Sequence, residues 1–364
     1  MNRQGEPAGG IRPTLRDVAK RAGVSAMTAS RVLNGKVYVR PDTRGSVERA
    51  VRELNYTPNR AAKELASSLE QRKIAFLFDA LNATMLGAIV GGFESPDQPD
   101  VRLVFLRTRA SDDPLRTLKT IRTLGIRGVI LSPPLCDDAR LRIVLKDAGI
   151  RIVALGCGDE DPSVSTIGID DAQAAFELTS YLLKLGHRRV GLITGHPRHR
   201  SSAQRRAGFE AALREHGIHP DRTLQWEGDD TFGSALAIAE QALSLDDPPT
   251  AIFASNDDMA AAVISIARGR GIAIPRSLSV CGFDDGEITR MLFPQLTTVS
   301  RPLGEMANWA VRQLDEELTA IARRISPTVR KVLLDHVIAF RGSDAPPPDS
   351  AVPFKARAAE KMRI

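Results

Sequence analysis

Polar side chains stand at the places where this chain of 364 residues would end its strands or begin its helices. They are Asp79 and Asn82 in FDALNA, Ser201 and Arg205 in SSAQRRAGF, Asn256 and Asp257 in FASNDDMA, and Asp284 and Asp285 in CGFDDG. Open α/β sheets bind ligands at the carboxyl ends of their strands. Carboxylates, a carboxamide and a guanidinium that meet there suit a ligand with many hydroxyl groups, because each can hold two hydroxyls at once.

Some of these residues have a second interpretation, in which they only stabilise the fold. Asp257 is suited to cap the helix that begins beside it, and Asp285 is suited to satisfy a turn. Asp79 and Asn82 are common turn formers as well. The sequence leaves this structural role open for all four residues.

The basic charge of the chain is confined to its N-terminal fifth. Residues 1–72 contain 14 Lys and Arg against 7 Asp and Glu, a balance of +7, whereas the whole chain carries +6, so the remaining residues carry −1. This asymmetry indicates a small module that binds a polyanion, joined to a nearly neutral globular body. A solvated basic face without a partner is the alternative that charge alone leaves open.

The stretch TLRDVAKRAGVSAMTASRVLNG, residues 14–35, predicts two short helices joined by a turn at Gly23. Thr14 and Ser25 are suited to cap these helices. The predicted buried residues are Leu15, Val18, Ala19 and Ala22 in the first helix, Ala29, Val32 and Leu33 in the second, and Val47, Ala50, Val51 and Leu54 in a third helix after RPDT. This layout is typical of the helix-turn-helix, whose second helix enters the major groove of DNA.

The open side of the second helix carries the side chains that would read DNA. Ala26 and Met27 can pack against thymine methyl groups, and Arg31 can form two hydrogen bonds to a guanine. The predicted contacts to the DNA backbone are Thr14, Ser25, Thr28 and Asn34, with Ser30 beside them.

Beyond residue 73 the chain alternates apolar runs with amphipathic stretches of helical length. The runs are residues 74–78, 101–106, 128–132, 151–155, 188–194, 251–255 and 278–283, and the helix-like stretches include 113–124, 171–185, 201–216, 232–243 and 257–270. Short buried strands that alternate with helices indicate parallel sheets covered on both faces. The series is long enough for two such sheets.

The segment at 14–35, followed by NYTPNRAAKELA at 55–66, resembles the lactose repressor (LacI) family of bacterial transcription factors. The resemblance implies a hinge helix over Asn59 to Ala66 that orders only on DNA, with Leu65 wedged into the minor groove at the centre of a palindromic operator. Asn59, Arg60, Ala62 and Leu65 are then expected DNA contacts. An apolar wedge of this kind unstacks a base step and bends the duplex.

For the body, the resemblance implies two Rossmann-like parallel-sheet subdomains similar to periplasmic sugar-binding proteins, linked by crossovers near 162–165, 290–295 and 323–327. The expected fold class is thus an all-α helix-turn-helix DNA-binding domain plus a hinge helix, joined to an α/β core of two such subdomains. The expected segments are a disordered N-terminus at 1–13, a DNA-binding domain at 14–58, a hinge and linker at 59–72, an effector-binding and dimerisation domain at 73–342, and a disordered tail at 343–364. The two subdomains of the core are expected at 73–163 with 292–324, and at 164–291 with 325–342.

By the same resemblance, Arg205, Asn256 and Asp284 match the family positions that contact the effector. Arg301 stands where the family often has a neutral polar residue, and Arg151 stands where proline is frequent. Either arginine can favour an anionic ligand. Alternatively, Arg301 pairs with Asp284 and leaves no net preference.

A further departure concerns the aromatic residue that many members stack on a sugar ring. Asp230 stands at that position, so Phe232 or Trp226 would have to supply the ring. The candidate effector contacts are Asp79, Asn82, Ser201, Arg205, Asp230, Asn256, Asp284 and Arg301.

Other function classes find little support in the sequence. No G-x-G-x-x-G follows a predicted strand, and neither G-x-x-x-x-G-K-[ST] nor G-x-S-x-G occurs. The histidine pairs His196 with His199 and His216 with His219 lack a third evident metal ligand, and Cys136, Cys157 and Cys281 fit neither a zinc site nor a disulfide framework. The chain is therefore expected to be no enzyme and to use no cofactor or metal.

The expected location is the cytoplasm, in association with the nucleoid, because no apolar run is long enough to span a membrane and no apolar block follows the start. The tail lacks leucine heptads, which favours a dimer over a tetramer. The predicted function is a ligand-responsive repressor of carbohydrate uptake or catabolism genes, whose partners are double-stranded operator DNA, a sugar or sugar-derived effector and a second copy. A corepressor-dependent regulator and a sugar receptor that binds no DNA are the alternatives.

Overall fold

The computed structural model of the protein describes residues 13–33, 40–54, 56, 72–79, 83–93, 101–156 and 161–348. The chain divides into two compact units, an N-terminal unit of Met1–Gln71 and a C-terminal unit of Arg72–Ile364. Within the described residues, no helix is both long and apolar enough to cross a membrane. The predicted hinge helix, with Asn59, Arg60, Ala62 and Leu65, lies outside the described residues, as do Asn34 and Asn82.

The described part of the N-terminal unit contains three short helices, as the sequence predicts for residues 14–54. They are α1 at Leu15–Ala22, α2 at Ala26–Leu33 and α3 at Pro41–Glu53. Their apolar faces meet in one small core, in which Val18, Ala29 and Val47 are fully buried. A single core of this size is enough to fix the angle between α1 and α2, which is what presents α2 to a partner.

The predicted caps hold the ends of α1 and α2. Thr14 Oγ1 accepts a hydrogen bond from the backbone N–H of Asp17 at 3.4 Å, while the Asp17 carboxylate accepts one from the Thr14 N–H at 2.8 Å. Gly23 ends α1 with a φ of 67°, a left-handed conformation that glycine adopts without strain. Ser25 Oγ accepts a hydrogen bond from the Thr28 N–H at 3.1 Å and so caps α2.

The C-terminal unit alternates strands and helices. Its strands are β1 Arg72–Phe78, β2 Val101–Arg107, β3 Gly128–Leu131, β4 Arg151–Leu155, β5 Ser165–Gly168, β6 Val190–Thr194, β7 Gln225–Glu227, β8 Ala251–Ala254, β9 Ser279–Asp284, β10 Thr297–Ser300, β11 Lys331–Leu333 and β12 Val337–Ala339. Its helices are α4 Ala83–Phe93, α5 Pro114–Thr123, α6 Ala139–Asp147, α7 Asp171–Lys184, α8 Arg200–Glu215, α9 Phe232–Ala242, α10 Asp257–Gly269, α11 Ile288–Met291 and α12 Leu303–Ala322.

These strands form two separate six-stranded sheets. The first has the order β11-β5-β4-β3-β1-β2, and the second has the order β12-β10-β9-β8-β6-β7. Every pairing is parallel except that of β10 with β12. Buried apolar side chains cover both faces of each sheet, which is why the strands appear in the sequence as continuous apolar runs.

The predicted subdomain boundaries are wrong by one strand at each crossover. β5 pairs with β4 and β11 pairs with β5, so both belong to the first sheet, whereas β10 pairs with β9 in the second. The chain therefore changes sheets after β5, β10 and β11, and not near 162–165, 290–295 and 323–327. These strands have only three or four residues, and nothing in so short a run indicates which sheet it joins.

The predicted disordered tail also begins too early, because residues 343–348 pack on the second sheet. Ser343 is fully buried, and its Oγ accepts a hydrogen bond from the Thr297 N–H at 2.8 Å. Asp344 accepts hydrogen bonds from Tyr181 and Thr297, and the carbonyl of Ala345 lies 2.9 Å from Nε2 of His187. We call residues 343–348 the C-terminal strap; its prolines do not prevent backbone and side-chain bonds to β9 and β10.

Candidate functional site

A cavity of about 670 Å³ lies where strands of the two sheets end. Asp79 follows β1 and Gly156 follows β4 of the first sheet, while Asn256 follows β8 and Asp284 ends β9 of the second. The volume suits a small molecule of one or two sugar rings. Among the described candidates, seven line this one cavity: Asp79, Ser201, Arg205, Asp230, Asn256, Asp284 and Arg301.

Arg205 is held in place before any ligand arrives. Its side chain is 7% exposed, its Nε donates to the Asp171 carboxylate at 2.7 Å, and its Nη1 donates to the carbonyl of Ser255. The guanidinium also lies over the ring of Phe283, 3.7 Å from its centroid. Burial opposes the charge, but the carboxylates of Asp171, Asp284 and Asp230 together outweigh that effect and raise the pKa of Arg205.

Arg301 and Asp284 form a buried ion pair at 2.6 Å. Burial raises the pKa of Asp284, and the nearby guanidinium groups of Arg301 and Arg205 oppose that rise. The alternative in which Arg301 pairs with Asp284 is thus the one the structure has. Arg151 does not line the cavity: it pairs with Glu317 at 2.6 Å, so the expectation that it tunes the ligand charge is wrong.

A second charged cluster joins Asp230 to two histidines. Asp230 Oδ2 lies 2.8 Å from Nδ1 of His199 and accepts a hydrogen bond from the His196 N–H at 3.1 Å. Burial opposes ionisation of Asp230, yet the hydrogen bond from His199 lowers the pKa of Asp230. Burial, with His199 beside it, lowers the pKa of His196. No cluster of three or more metal-ligating side chains occurs among the described residues.

Sequence reasoning missed both histidines as cavity residues. The spacing of His196 and His199 suggests only a metal site, whereas the structure places both rings, with centroids 5.1 Å apart, in the cavity wall. A signal existed, because the pair lies between the end of β6 and the start of α8, which carries Ser201 and Arg205. Loops after strands of an open sheet are the expected ligand-binding segments.

Asn256, and not Asp257, caps α10. Asn256 Oδ1 accepts a hydrogen bond from the Met259 N–H at 2.8 Å, and its Nδ2 donates to the carbonyl of Asp230 at 2.7 Å. Asp257 is buried and accepts hydrogen bonds from the Gly286 N–H at 2.8 Å and from Thr298 Oγ1 at 2.6 Å. Burial, together with the charge of Asp284, raises the pKa of Asp257 to about 8.

The remaining open interpretations are decided residue by residue. Asp285 has a structural role: it sits at a φ of 59° and pairs with Arg341 at 2.5 Å. Asp79 lines the cavity, although its Oδ2 also accepts a hydrogen bond from the Ala110 N–H at 2.9 Å. Phe232 lines the cavity and is 41% exposed, whereas Trp226 packs in the core of the second sheet. Phe232 is therefore the aromatic ring available to a ligand.

A hydrogen bond joins the segment after β3 of the first sheet to the start of α8, which follows β6 of the second sheet. Asp137, in the single 3-10 turn that follows β3, accepts a hydrogen bond through Oδ2 from the Arg200 N–H at 3.2 Å. Arg200 is the first residue of α8, whose N-cap His199 makes no side-chain capping bond. Burial raises the pKa of Asp137. A residue of the first sheet thus caps the helix that carries Ser201 and Arg205.

The described side chains among the predicted DNA contacts are exposed or partly exposed. Met27 is 67% exposed, Ser25 and Ala26 are exposed, and Thr28 and Ser30 are partly exposed. Thr14 is exposed at the start of α1. Arg31 lies in α2. Ser25, Ala26 and Met27 are therefore accessible at the start of α2, while Ala29 and Val32 are buried in the core.

A helix-turn-helix unit joined to a two-sheet unit with a polar cavity defines a DNA-binding regulator that responds to a small molecule. Residues 14–59 match the family model described as bacterial regulatory proteins of the lacI family, and residues 179–339 match a periplasmic binding protein-like domain. The chain belongs to the lacI family and is a transcriptional regulator.

Two curated relatives show the extent of the similarity. The chain is 30% identical over 301 residues to the probable HTH-type transcriptional repressor ExuR of Bacillus subtilis (strain 168), with 83% of this chain and 90% of the relative covered. It is also 30% identical over 335 residues to the HTH-type transcriptional regulator CelR of Thermobifida fusca, with 90% and 97% covered.

Two solved structures share the whole architecture. The lac repressor dimer bound to operator and the anti-inducer ONPF has a TM-score of 0.75 at 27% identity, and covers 92% of this chain and 100% of that one. The complex of the regulator CelR with cellobiose has a TM-score of 0.68 at 29% identity, and covers 91% and 100%.

Proposed function

We propose that this protein represses genes for carbohydrate uptake or catabolism, binds a palindromic operator as a homodimer, and is released when a sugar or sugar derivative binds its cavity. The observation that carries the proposal is the polar cavity at the ends of both sheets, in a chain that also carries an exposed recognition helix. A receptor for sugars alone would have no use for that helix.

The N-terminal unit supplies the DNA contacts in this proposal. Ala26 and Met27 on α2 meet base edges, Arg31 binds a guanine, and Thr14, Ser25, Thr28, Ser30 and Asn34 contact the backbone. Asn59, Arg60, Ala62 and Leu65 act at the centre of the operator, where Leu65 opens a base step. Each dimer would place two copies of α2 in successive major grooves.

The cavity supplies the effector contacts. Carboxylates at Asp79, Asp230 and Asp284 accept hydrogen bonds from hydroxyl groups, and the ring of Phe232 offers a face to the apolar side of a sugar. Ser201, Arg205, Asn256 and Arg301 lie in the same wall. Asn82 is proposed as a further effector contact. Arg205 and Asn256 already have partners, so they need little reordering when a ligand binds.

An exposed apolar face on the C-terminal unit supports the dimer. Leu86 and Val90 are exposed one turn apart on α4, and beside them Gly87 and Gly91 have open space where a side chain would stand. Phe293, after α11, is 76% exposed. Glycines let another backbone approach closely, and exposed apolar patches commonly mark interfaces. We propose a second copy of the chain as the occupant of the α4 face.

The response to the effector requires that the effector binds one state of the cleft better than the other. The coupling free energy between an effector site and a DNA-binding site is typically on the order of 1–3 kcal/mol. The hydrogen bond between Asp137 and the Arg200 N–H joins elements that follow strands of different sheets, so it requires these two elements to be close. Effector binding that changes the distance between the sheets would therefore change this bond as well.

The test is selection of an operator from a random palindromic DNA library with the purified full chain, followed by fluorescence anisotropy. We expect tight binding that weakens steeply with salt, and release by at least one sugar of a screened set. Leu65→Ala is expected to lower operator affinity without changing sugar binding. A protein that binds a sugar but selects no palindrome would refute the regulator, and a sugar that tightens operator binding would instead show a corepressor response.

A further inference from the structure

We infer that Asp258 determines which effectors the cavity accepts: it takes a hydroxyl or ammonium donor from the ligand and excludes sugar acids and sugar phosphates. The inference rests on the proposed function of the cavity, which it deepens by naming the class of ligand. Asp258 is not among the effector contacts predicted from the sequence, because its neighbours Asn256 and Asp257 are the residues of that segment suited to contact a ligand or cap the helix.

Asp258 lines the cavity from the first turn of α10. Its side chain is partly buried, and it makes no hydrogen bond or ion pair with any residue of the described ranges. A half-buried carboxylate without a partner is unusual, because loss of hydration disfavours its charge. Burial and the charge of Asp284 raise the pKa of Asp258 accordingly.

The other carboxylates of the cavity wall are already engaged. Asp284 pairs with Arg301 at 2.6 Å, and Asp230 lies 2.8 Å from His199. The remaining engaged carboxylates are Asp79, which accepts from the Ala110 N–H, and Asp229, which accepts from the N–H and the hydroxyl of Thr231. Among the described residues of the wall, Asp258 is thus the carboxylate with both oxygens open to a ligand.

The cations of the wall do not compensate Asp258, because their charge is used elsewhere. Arg205 is bonded to Asp171 and Arg301 to Asp284, so these four buried groups balance one another. Among the described residues, the wall contains five aspartates against three arginines, with two histidines in addition. Since the third arginine, Arg198, is exposed, the interior of the cavity carries excess negative charge.

Excess negative charge selects the ligand by its own charge. A hydroxyl or ammonium group can donate directly to Asp258 and relieve its missing hydration. A ligand carboxylate or phosphate at the same place would lie next to the Asp258 carboxylate, which carries the same charge. At hydrogen-bonding distance this repulsion lowers the affinity on the order of tenfold or more. The arginines therefore do not make this a site for anions.

The test compares neutral, amino and acid forms of one sugar on the full chain by calorimetry and thermal shift. The probes are galactose, galactosamine and galacturonate, and glucose, glucosamine and glucuronate. The proteins are wild type, Asp258→Asn, which removes the charge and keeps the shape, and Asp246→Asn, the same change at an exposed residue remote from the cavity. Asp258→Ser serves as a second variant, and circular dichroism verifies that each is folded.

We expect the wild type and Asp246→Asn to bind the neutral or amino form at least about tenfold more tightly than the acid form of the same sugar, and Asp258→Asn and Asp258→Ser to lose most of this ratio. Tighter binding of the acid form, an unchanged ratio in the folded variants, or no binding of any probe would overturn the inference. Selection of a palindromic operator by the same protein is measured in parallel. A protein that selects a palindrome but lacks the expected ligand preference refutes only this inference, whereas a protein that selects no palindrome refutes the proposed function.

Discussion

The two units of this protein prepare their functional side chains in opposite ways. In the N-terminal unit, Met27 and its neighbours on α2 are open to solvent, and the small core serves only to aim the helix. In the C-terminal unit, Arg205 is buried, bonded to Asp171 and stacked on Phe283 before a ligand binds. A change on α2 should therefore affect recognition alone, whereas a change in the cavity should affect recognition and stability together.

The largest effect is expected for Arg205→Ala. Removal of the guanidinium leaves Asp171 buried without its partner, which costs roughly 3–5 kcal/mol in the free energy of unfolding. Effector binding should be lost as well, while operator binding below the new melting temperature should stay close to wild type. Chemical denaturation and anisotropy with and without sugar measure the two parts.

The matched control is Arg206→Ala on the next residue of α8. Arg206 is partly exposed, and its contact with Glu227 at 3.4 Å is a surface pair that contributes little. If Arg205→Ala were as stable and as responsive as Arg206→Ala, the contrast between the two units would be lost.

The second effect is expected for Arg31→Ala on α2. Loss of a bidentate contact to guanine should cost roughly 1–3 kcal/mol of operator binding, equivalent to about 5- to 150-fold in affinity, at every strong site. The melting temperature should not change. Titrations against the selected operator measure the affinity, and Arg214→Ala in the C-terminal unit is the control. If Arg31→Ala lowered the stability of the protein as well as its affinity for the operator, the contrast between the two units would not hold.

A third prediction concerns pH and Asp257. An Asp in the unfolded chain titrates near 4, whereas Asp257 in the folded protein titrates at about 8. The folded state thus holds the proton more tightly, so this stabilisation is complete below pH ~4 and is lost as pH rises through about 8. Asp257→Asn should abolish the loss, and the wild type should lose on the order of 1 kcal/mol or more relative to the variant between pH 5 and pH 9.

Melting curves at several pH values measure this difference, since both proteins can be compared at each pH. Asparagine at 257 can still accept from the Gly286 N–H. If the melting temperatures of the two proteins changed with pH in the same way from pH 5 to pH 9, Asp257 would not titrate in this range.

The smallest effect is expected for Met27→Gln. The substitution exchanges an apolar contact for two hydrogen-bonding groups, so the preferred base at one operator position should change while total affinity moves by about 1 kcal/mol or less. Sequencing of operators selected by each protein reads out the preference. An identical consensus for both proteins would remove Met27 from the base-reading set.

Much of the architecture was predictable because its causes are local. The buried faces of α1, α2 and α3 follow from the spacing of their apolar residues. The central strands of each sheet follow from continuous apolar runs between turns. Cavity residues such as Asp79 and Asp284 could be found because parallel strands present their carboxyl ends at one edge of a sheet.

The remainder depended on contacts that join distant parts of the chain. β5 and β10 are too short to specify a sheet, and only their pairing with β4 and β9 assigns them. Adjacent Asn256 and Asp257 are both good caps, and the burial of Asp257 against Thr298 decided between them. The role proposed for Asp258 depends on the pairing of other carboxylates in the cavity, Asp230 with His199 and Asp284 with Arg301, which the sequence does not reveal.

The C-terminal strap has a practical meaning for anyone who shortens or tags this protein. Ser343 accepts from the Thr297 N–H, its carbonyl accepts from the Val280 N–H, and Asp344 binds Tyr181. A truncation at residue 342 would strip partners from two strands that end at the cavity and expose buried polar groups. A fluorescent reporter fused beyond residue 348 would leave these bonds intact, which makes that position the natural attachment point for a biosensor built on this fold.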